Sequence, residues 1–410
     1  MRQRPEVHFT PERGWMNDPH GIVFADGRYH LFFQYVPRDI AWHSDLEWGH
    51  AVSPDLVHWQ HIDSALTPLP NETGLWSGSV VMADVPTMFY TNPRPENWGQ
   101  GQVIVARGNH DLTAWERVGL VIDGAPGAEF RDFRDPQVRG DGDAWKMTVG
   151  AGMQDGSGGC ALQFSSSDLL QWHYDGVLAT EPFDPHAPIN TGEVWECPQF
   201  LRVGDEWVLI ISAMELEQKY ILQVYAIGDY DGVRFTPRVW GDLGHGNIAY
   251  AATTFTDTDG VPCVMAWLRE SGAEVPAGSP WAGAQSVVHE LHIVGDALMA
   301  PFHRNLDAAL PAVPVADSIE VDFAHARRFA VDAARGLTIE NAEHVVTLQL
   351  NGGRALVFVD GAVALDANCG GATSFDVVVD AGWLEFVCSD VEGFYVARIP
   401  SMATATVRAG

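Results

Sequence analysis

The chain has 410 residues, 46% of them hydrophobic and 19% charged, which excludes wholesale disorder and allows a core large enough for two domains. Acidic side chains number 54 against 24 basic ones, for a formal net charge of −30, and Lys146 and Lys219 are the only lysines. Such a field repels nucleic-acid phosphates and anionic lipid surfaces, whereas a neutral substrate such as a sugar meets no such penalty.

The first ten residues, MRQRPEVHFT, contain no apolar segment of the kind that heads a secretory leader, and no apolar run is long enough to span a bilayer. The five cysteines (Cys160, Cys197, Cys263, Cys369, Cys388) are odd in number and scattered, with no CxxC spacing. They read neither as a disulfide framework nor as a zinc site, and a reducing cytoplasm is the expected location.

From the N-terminus onward the pattern is of short strands and almost no amphipathic helix. Residues 29–35 and 207–212 are rich in aromatic and β-branched side chains and are bounded by turn formers such as Asp26-Gly27 and Gly204-Asp205. A signature recurs at Ser53-Pro54-Asp55-Leu56-Val57-His58-Trp59, Asn109-His110-Asp111-Leu112-Thr113-Ala114-Trp115 and Ser166-Ser167-Asp168-Leu169-Leu170-Gln171-Trp172. A degenerate fourth copy runs from Gly228 to Phe235. The spacing is 56 residues from Asp55 to Asp111 and 57 from Asp111 to Asp168, in the range of propeller blades. Projected over residues 1–303, it predicts an all-β fold with a five-bladed β-propeller, the repeat tryptophans packing between blades. Prolines and small residues at 304–314 read as a linker, and the alternating strands of 315–410 suit a small β-sandwich with no cluster of catalytic residue types.

Three short segments place an acid between an aromatic and a proline: Trp15-Met16-Asn17-Asp18-Pro19, Phe133-Arg134-Asp135-Pro136 and Trp195-Glu196-Cys197-Pro198. Buried carboxylates are costly unless paired or functional, and paired carboxylates without a metal motif fit glycosidic bond cleavage. Taken singly, each has a plainer reading. Asn17-Asp18-Pro19-His20-Gly21 is good turn chemistry, and Arg134-Asp135 can be a surface ion pair in which the arginine keeps the carboxylate ionised. Glu196, between Trp195 and Cys197, has an apolar setting that should raise its pKa, with Glu193 as its competitor. His289-Glu290-Leu291-His292 lacks zinc-helix spacing, and the glycine loops at 123–127 and 155–159 lack the lysine of a phosphate-binding loop.

Together the three segments resemble glycoside hydrolase family 32, the invertase, inulinase and fructan-hydrolase family. Residues 29–35, Trp48-Gly49-His50-Ala51-Val52-Ser53, Trp76-Ser77-Gly78-Ser79 and Trp281-Ala282-Gly283 extend the likeness in family order, and Asp380 to Phe386 resembles its late sandwich strand. The resemblance implies a retaining β-fructofuranosidase with no metal or organic cofactor. Asp18 would be the nucleophile, Glu196 the acid/base, and Asp135 the transition-state stabiliser, with nucleophile and acid/base about 5–5.5 Å apart. Asn17, Gln34, Trp42, Trp76, Ser77, Arg134 and Trp267 would bind the fructosyl unit. His20 and Val36 stand where the family usually has Asn and are expected to alter the funnel wall or the leaving-group side. Residues 214–219 are a second candidate for that side. A fructosyltransferase with the same carboxylates, a non-catalytic carbohydrate-binding propeller and an inverting pentosidase are the competing functions.

Overall fold

The computed structural model describes residues 2–216, 221–270, 272–315 and 318–410. Four consecutive antiparallel meanders come first. They are β1 (Gly14–Ala25), β2 (Arg28–Val36), β3 (Glu47–Ser53) and β4 (Gln60–Leu66), then β5 (Trp76–Met82), β6 (Pro86–Arg94), β7 (Asn97–Gly108) and β8 (Trp115–Ile122). The next two are β9 (Phe130–Asp141), β10 (Ala144–Met153), β11 (Gly158–Ser166) and β12 (His173–Pro182), then β13 (Val194–Val203), β14 (Glu206–Met214), β15 (Ile221–Tyr230) and β16 (Phe235–His245). A fifth set comprises β17 (Ala249–Thr256) and β18 (Pro262–Leu268), with Ala284–Gln285 and His289–Glu290 both paired to β18. Trp281–Ala282 runs parallel to the start of β1.

The first strands lie against one another in a closed cycle, β1 touching β5 and β17, β9 touching β5 and β13, and β13 touching β17. Burial follows from this arrangement. In β2, RYHLFFQYV, every residue after Arg28 is buried, so the strand is apolar on both faces, whereas outlying β8 alternates between partly buried and exposed positions.

The repeat signature is a turn with a specific job. Leu56, Leu112 and Leu169 adopt left-handed φ of 67°, 58° and 66°. The preceding aspartate accepts the backbone N–H groups beyond it, as in Asp55 Oδ1 from Val57 (3.0 Å) and His58 (2.9 Å). The closing tryptophan donates back to the leucine carbonyl, at 3.1 Å for Trp59, 3.0 Å for Trp115 and 3.2 Å for Trp172. Trp115 and Trp172 then pack edge-on against Phe32 and Phe89 of the preceding meander.

Beyond the fifth set, Asn305–Ala309 forms a short helix whose buried Leu306 joins Val7, Val287, Phe302 and Val378 in one apolar cluster. Two further antiparallel sheets follow. One orders Ser318–Asp322, Thr404–Ala409, Leu337–Glu340, Val345–Asn351, Arg354–Val359 and Ala362–Asn368. The other pairs Arg327–Asp332, Ser374–Asp380, Trp383–Cys388 and Phe394–Arg398 in turn. Phe329, Phe375, Phe386 and Tyr395 of the second share an apolar core with Ile339, Val346, Val357 and Val407 of the first. Cys369 and Cys388 form a disulfide, which the scattered cysteine spacing did not suggest. Among the described residues no helix is long and apolar enough to cross a membrane.

The N-terminal segment is fastened to the C-terminal sheets by buried charge. Asp380 accepts the backbone N–H groups of Glu6, Val7 and His8. The His8 ring bridges Asp380 Oδ2 (3.0 Å) and Glu385 Oε2 (2.9 Å), and His289 meets the other oxygen of Glu385 at 2.6 Å. Burial opposes charging of His8, but the bonds to Asp380 and Glu385 outweigh it and raise its pKa to about 9. An unfolded histidine titrates near 6.5, so this contribution is complete below about pH 6.5 and is lost as pH rises through about 9. His8→Ala leaves two buried carboxylates short of a partner, with an expected loss of about 3–5 kcal/mol. Urea denaturation between about pH 6 and pH 10 should show wild-type stability falling on the alkaline side, a fall that the variant lacks; a flat wild-type profile would mean that His8 is neutral.

Candidate active site

Each opening strand of the five sets contributes at least one polar side chain to a common site: Asp18 from β1, Ser77 from β5, Asp135 from β9, Glu196 from β13 and Tyr250 from β17. The ladder loses register at the same place every time, between Met16 and Pro19, Trp76 and Gly78, Glu196 and Gln199, and Tyr250 and Thr253, and opposite Asp135 between Thr148 and Gly150. Proline cannot donate to a ladder, so Pro19 and Pro136, directly after Asp18 and Asp135, and Pro198, two residues after Glu196, favour a break beside each acid. Left-handed backbone at Asp135 (φ 65°), Cys197 (φ 46°) and Ala251 (φ 50°) completes the turn-out. Such geometry costs on the order of 1–3 kcal/mol per residue and is held by specific bonds. Asp135 N–H donates to Thr91 Oγ1 (2.8 Å), and Cys197 N–H donates to Asp135 Oδ2 (2.9 Å).

Asp18 is held by a relay. Trp15 Nε1 donates to Asn17 Oδ1 (3.0 Å), Asn17 Nδ2 to Gln34 Oε1 (2.8 Å), Gln34 Nε2 to Ser77 Oγ, and Ser77 Oγ to Asp18 Oδ2 (2.6 Å). Asn17, Gln34 and Ser77 are therefore tied to the carboxylate itself, and all three are buried. Cys197 Sγ lies between two acids, 3.7 Å from Asp18 Oδ2 and 3.6 Å from Asp135 Oδ2.

Glu196 does not have the apolar setting its neighbours suggested. Arg134 Nε donates to its Oε1 at 3.0 Å and the Tyr250 hydroxyl donates to its Oε2. Arg134 is also bound to Asp132 Oδ1 (2.7 Å), so its head is directed at Glu196 and Asp132. Glu193, the competing acid, accepts the Leu216 N–H instead.

Both aspartates of the site have raised pKa values. Burial pushes Asp18 up to about 6, against the Ser77 bond that favours its charged form, with Glu196 adding repulsion. Burial likewise lifts Asp135 to about 7 despite the opposing pull of Arg134, with Glu196 and Asp18 adding to the rise. An arginine next in sequence is not enough to hold Asp135 in the usual carboxylate range.

Aromatic side chains form the mouth. Trp42 is exposed and meets Trp76 edge-on at 6.2 Å, while Trp267 meets Trp15 at 5.7 Å. Trp98, near the tip of the β6–β7 hairpin, stacks on Trp76 at 5.9 Å with planes 15° apart. His20 and Val36 do not line this mouth. His20 is buried against Trp48 at 4.0 Å, where burial lowers its pKa to about 3, and Val36 packs with Trp15, Leu46 and Ala282. Of residues 214–219, Glu217, Gln218 and Lys219 lie outside the described residues; Glu215 is buried and accepts from Asn190 at 2.6 Å.

Sequence reasoning missed Asp132, Thr91 and Tyr250. Asp132 had a usable signal, since it stands two residues before Arg134 on one strand and so shares its face. Tyr250 sits in an alanine-rich strand and carries no motif. Asp257, Cys263 and His303 also cluster, but the Asn305 N–H occupies His303 Nδ1 (3.1 Å), which leaves Nε2 as the donor to Asp257 (3.2 Å). That tautomer makes the trio a hydrogen-bonded group with no free imidazole nitrogen for a metal.

Residues 8–301 match the model of the glycosyl hydrolases family 32 N-terminal domain. Over 321 residues the chain is 32% identical to sucrose-6-phosphate hydrolase from Escherichia coli, covering 73% of this chain and 65% of that one. It is 32% identical to levanase from Bacillus subtilis, covering 71% of this chain and 45% of the relative. The chain thus spans less than two thirds of the length of these curated relatives. Among solved structures, the Bombyx mori family 32 β-fructofuranosidase superposes with a TM-score of 0.82 at 26% identity, over 99% of this chain and 91% of that one. A mutant of the same silkworm protein has been solved in complex with sucrose. The fold and the carboxylate site define a glycoside hydrolase scaffold, and the chain belongs to glycoside hydrolase family 32.

Ser77 donates to the charged form of Asp18, so Ser77→Ala should move the Asp18 titration above its value of about 6. Carboxyl-carbon chemical shifts followed against pH measure this directly. An unmoved or lowered midpoint would show that the relay does not reach the acid.

Proposed function

We propose that the protein is a retaining β-fructofuranosidase that releases terminal fructosyl units from sucrose, fructo-oligosaccharides or short fructans. The observation that carries the reading is the convergence of Asp18, Asp135 and Glu196, each on a bulged opening strand, with a single arginine among them. The closed cycle of first strands supports a five-bladed propeller over residues 1–303, joined through 304–314 to a β-sandwich over 315–410.

Asp18 attacks the anomeric carbon, and Glu196 protonates the departing glycosidic oxygen. The fructosyl-enzyme is then hydrolysed by a water that Glu196 deprotonates. Asp135 accepts hydroxyl protons of the fructosyl ring and offsets positive charge in the oxocarbenium-like transition state. Arg134 and Tyr250 fix Glu196 and must relax their hold as its proton leaves and returns. Asn17, Gln34 and Ser77 orient the nucleophile and present polar edges to the sugar. Trp42, Trp76 and Trp267 supply apolar walls for sugar faces.

Attack requires ionised Asp18 and the charge offset requires ionised Asp135, so kcat/KM should fall as pH drops through about 7 and further through about 6. Asp18→Asn should lower fructose release by at least about 10⁴-fold while the thermal transition stays in place. Glu196→Ala should spare an activated aryl fructoside relative to sucrose, and azide should partly restore turnover because it needs no general base. Fructose release from sucrose, short inulin and short levan, read beside Asp18→Asn, is the decisive assay. Near-wild-type turnover by that variant would remove Asp18 from its role.

A further inference from the structure

Arg134 is a buried cation whose partner must change charge twice in each turnover. The contact of its Nε with Glu196 Oε1 at 3.0 Å is an ion pair only while Glu196 is ionised. In the fructosidase reading above, Glu196 starts the cycle protonated, gives its proton to the leaving oxygen and takes one back from water. A buried guanidinium without a counter-charge during the protonated stages would be costly. Tyr250 cannot supply that charge, since it is a neutral donor to Glu196 Oε2, and Asp135 turns its Oδ2 to the Cys197 N–H.

Asp132 supplies it. It stands two positions before Arg134 on β9, and so on the same face, and its Oδ1 accepts Arg134 Nη1 at 2.7 Å. Its Oδ2 accepts Arg131 Nε at 3.2 Å. Asp132 is buried, and its ladder partner is Gly152 of β10. Gly99 of β7 runs so close that a Cβ there would lie 3.0 Å from Asp132 Oδ1. One guanidinium therefore joins two carboxylates through different nitrogens, one outside the reaction and one that alternates in charge.

We infer that Asp132 is a positioning residue for the reaction: as the standing counter-ion of Arg134 it keeps the guanidinium in place when Glu196 is protonated and limits the pull of that cation on the Glu196 proton. The role rests on the fructosidase reading. Its electrostatic sign is fixed. Without the charge of Asp132, Arg134 acts on Glu196 alone, and Glu196 gives up its proton at lower pH. Without the charge of Arg131, Asp132 offsets Arg134 more fully, and Glu196 keeps its proton to higher pH. The other titratable groups facing Glu196 are Asp18 from β1, Asp135 from β9, Cys197 from its own strand and Tyr250 from β17. Opposite it on β14 is Ser212, and Asp132 itself also lies near the Cys160 thiol of β11. Substitution at 131 or 132 leaves all of these residues in place.

The test follows kcat/KM for sucrose against pH in the full chain, together with the Glu196 carboxyl-carbon shift. Asp132→Asn keeps an oxygen for Arg134 Nη1 and removes the charge. It should move the alkaline limb, and the Glu196 midpoint with it, down by about one pH unit. Arg131→Gln should move both upward by roughly a few tenths of a unit, less because Arg131 is partly exposed and screened. A loss of rate in Asp132→Asn that is equal at every pH, with limb and midpoint unmoved, would overturn the inference and leave Asp132 a structural residue. Shifts of one sign in both variants would overturn it too. Should Asp132→Asn fail to fold, Arg131→Gln decides alone: a rise upholds the inference and an unmoved midpoint sinks it. If the wild-type protein releases no fructose, the fructosidase reading falls by itself. The Glu196 midpoints still report on the shared arginine in that case, opposite movements upholding the sharing and unmoved ones refuting it.

Discussion

Closing five strand sets on their first strands concentrates acidic groups where water is scarce, and the local chemistry follows from that constraint. Asp18, Asp135 and Glu196 reach the site because the ladders break at Pro19, Pro136 and Pro198. In an open sheet a bulge can be relieved by slipping register; in a closed cycle each strand is held by neighbours on both sides. The left-handed residues at Asp135 and Cys197 are sustained in the same way, by bonds between strands of different sets.

Three neighbouring carboxylates served by one arginine cannot all ionise cheaply. The structure resolves the conflict by giving each acid a different kind of donor. Asp18 receives neutral donors through Ser77 and Asn17, Asp135 receives a backbone N–H, and Glu196 receives the guanidinium and a phenol. At Asp18 and Asp135 burial and mutual repulsion outweigh these donors and raise the pKa to about 6 and about 7, so the cluster takes up a proton near neutrality.

The parts of this arrangement that were legible in the sequence are those where one residue type is nearly compulsory. An acid one or two residues before a proline marks three of the five bulges, and Asp-Leu-x-x-Trp marks a turn that needs a carboxylate cap and a tryptophan donor. Tyr250 and Thr91 were illegible because their roles arise from contacts across sets, and many residues would suit their strands equally well. The setting of Glu196 was misjudged because sequence neighbours on a strand point to opposite faces: Trp195 is buried away from Glu196, and the groups that do face it come from β9 and β17. The disulfide was hidden for a related reason, since Cys369 and Cys388 meet only through the fold of the C-terminal sheets.

Two buried carboxylates outside the site carry its geometry outward. Glu270 holds the Gly283 N–H at 3.1 Å and is gripped by Arg2, with both bonds at 2.8 Å, and by Arg398 at 2.6 Å. Gly283 has a left-handed φ of 83°, and a Cβ there would come within 2.2 Å of the Met16 carbonyl, immediately before Asn17. Gln285, two residues on, donates to the Asn17 carbonyl at 2.7 Å. Glu385, from the C-terminal sheets, binds His8, His289 and the Val287 N–H. The segment under Asp18 is thus pinned by groups anchored in the N-terminal residues and the C-terminal sheets. Those sheets bear no part of the carboxylate cluster, yet Arg398 and Glu385 make them part of what keeps the opening of β1 in register.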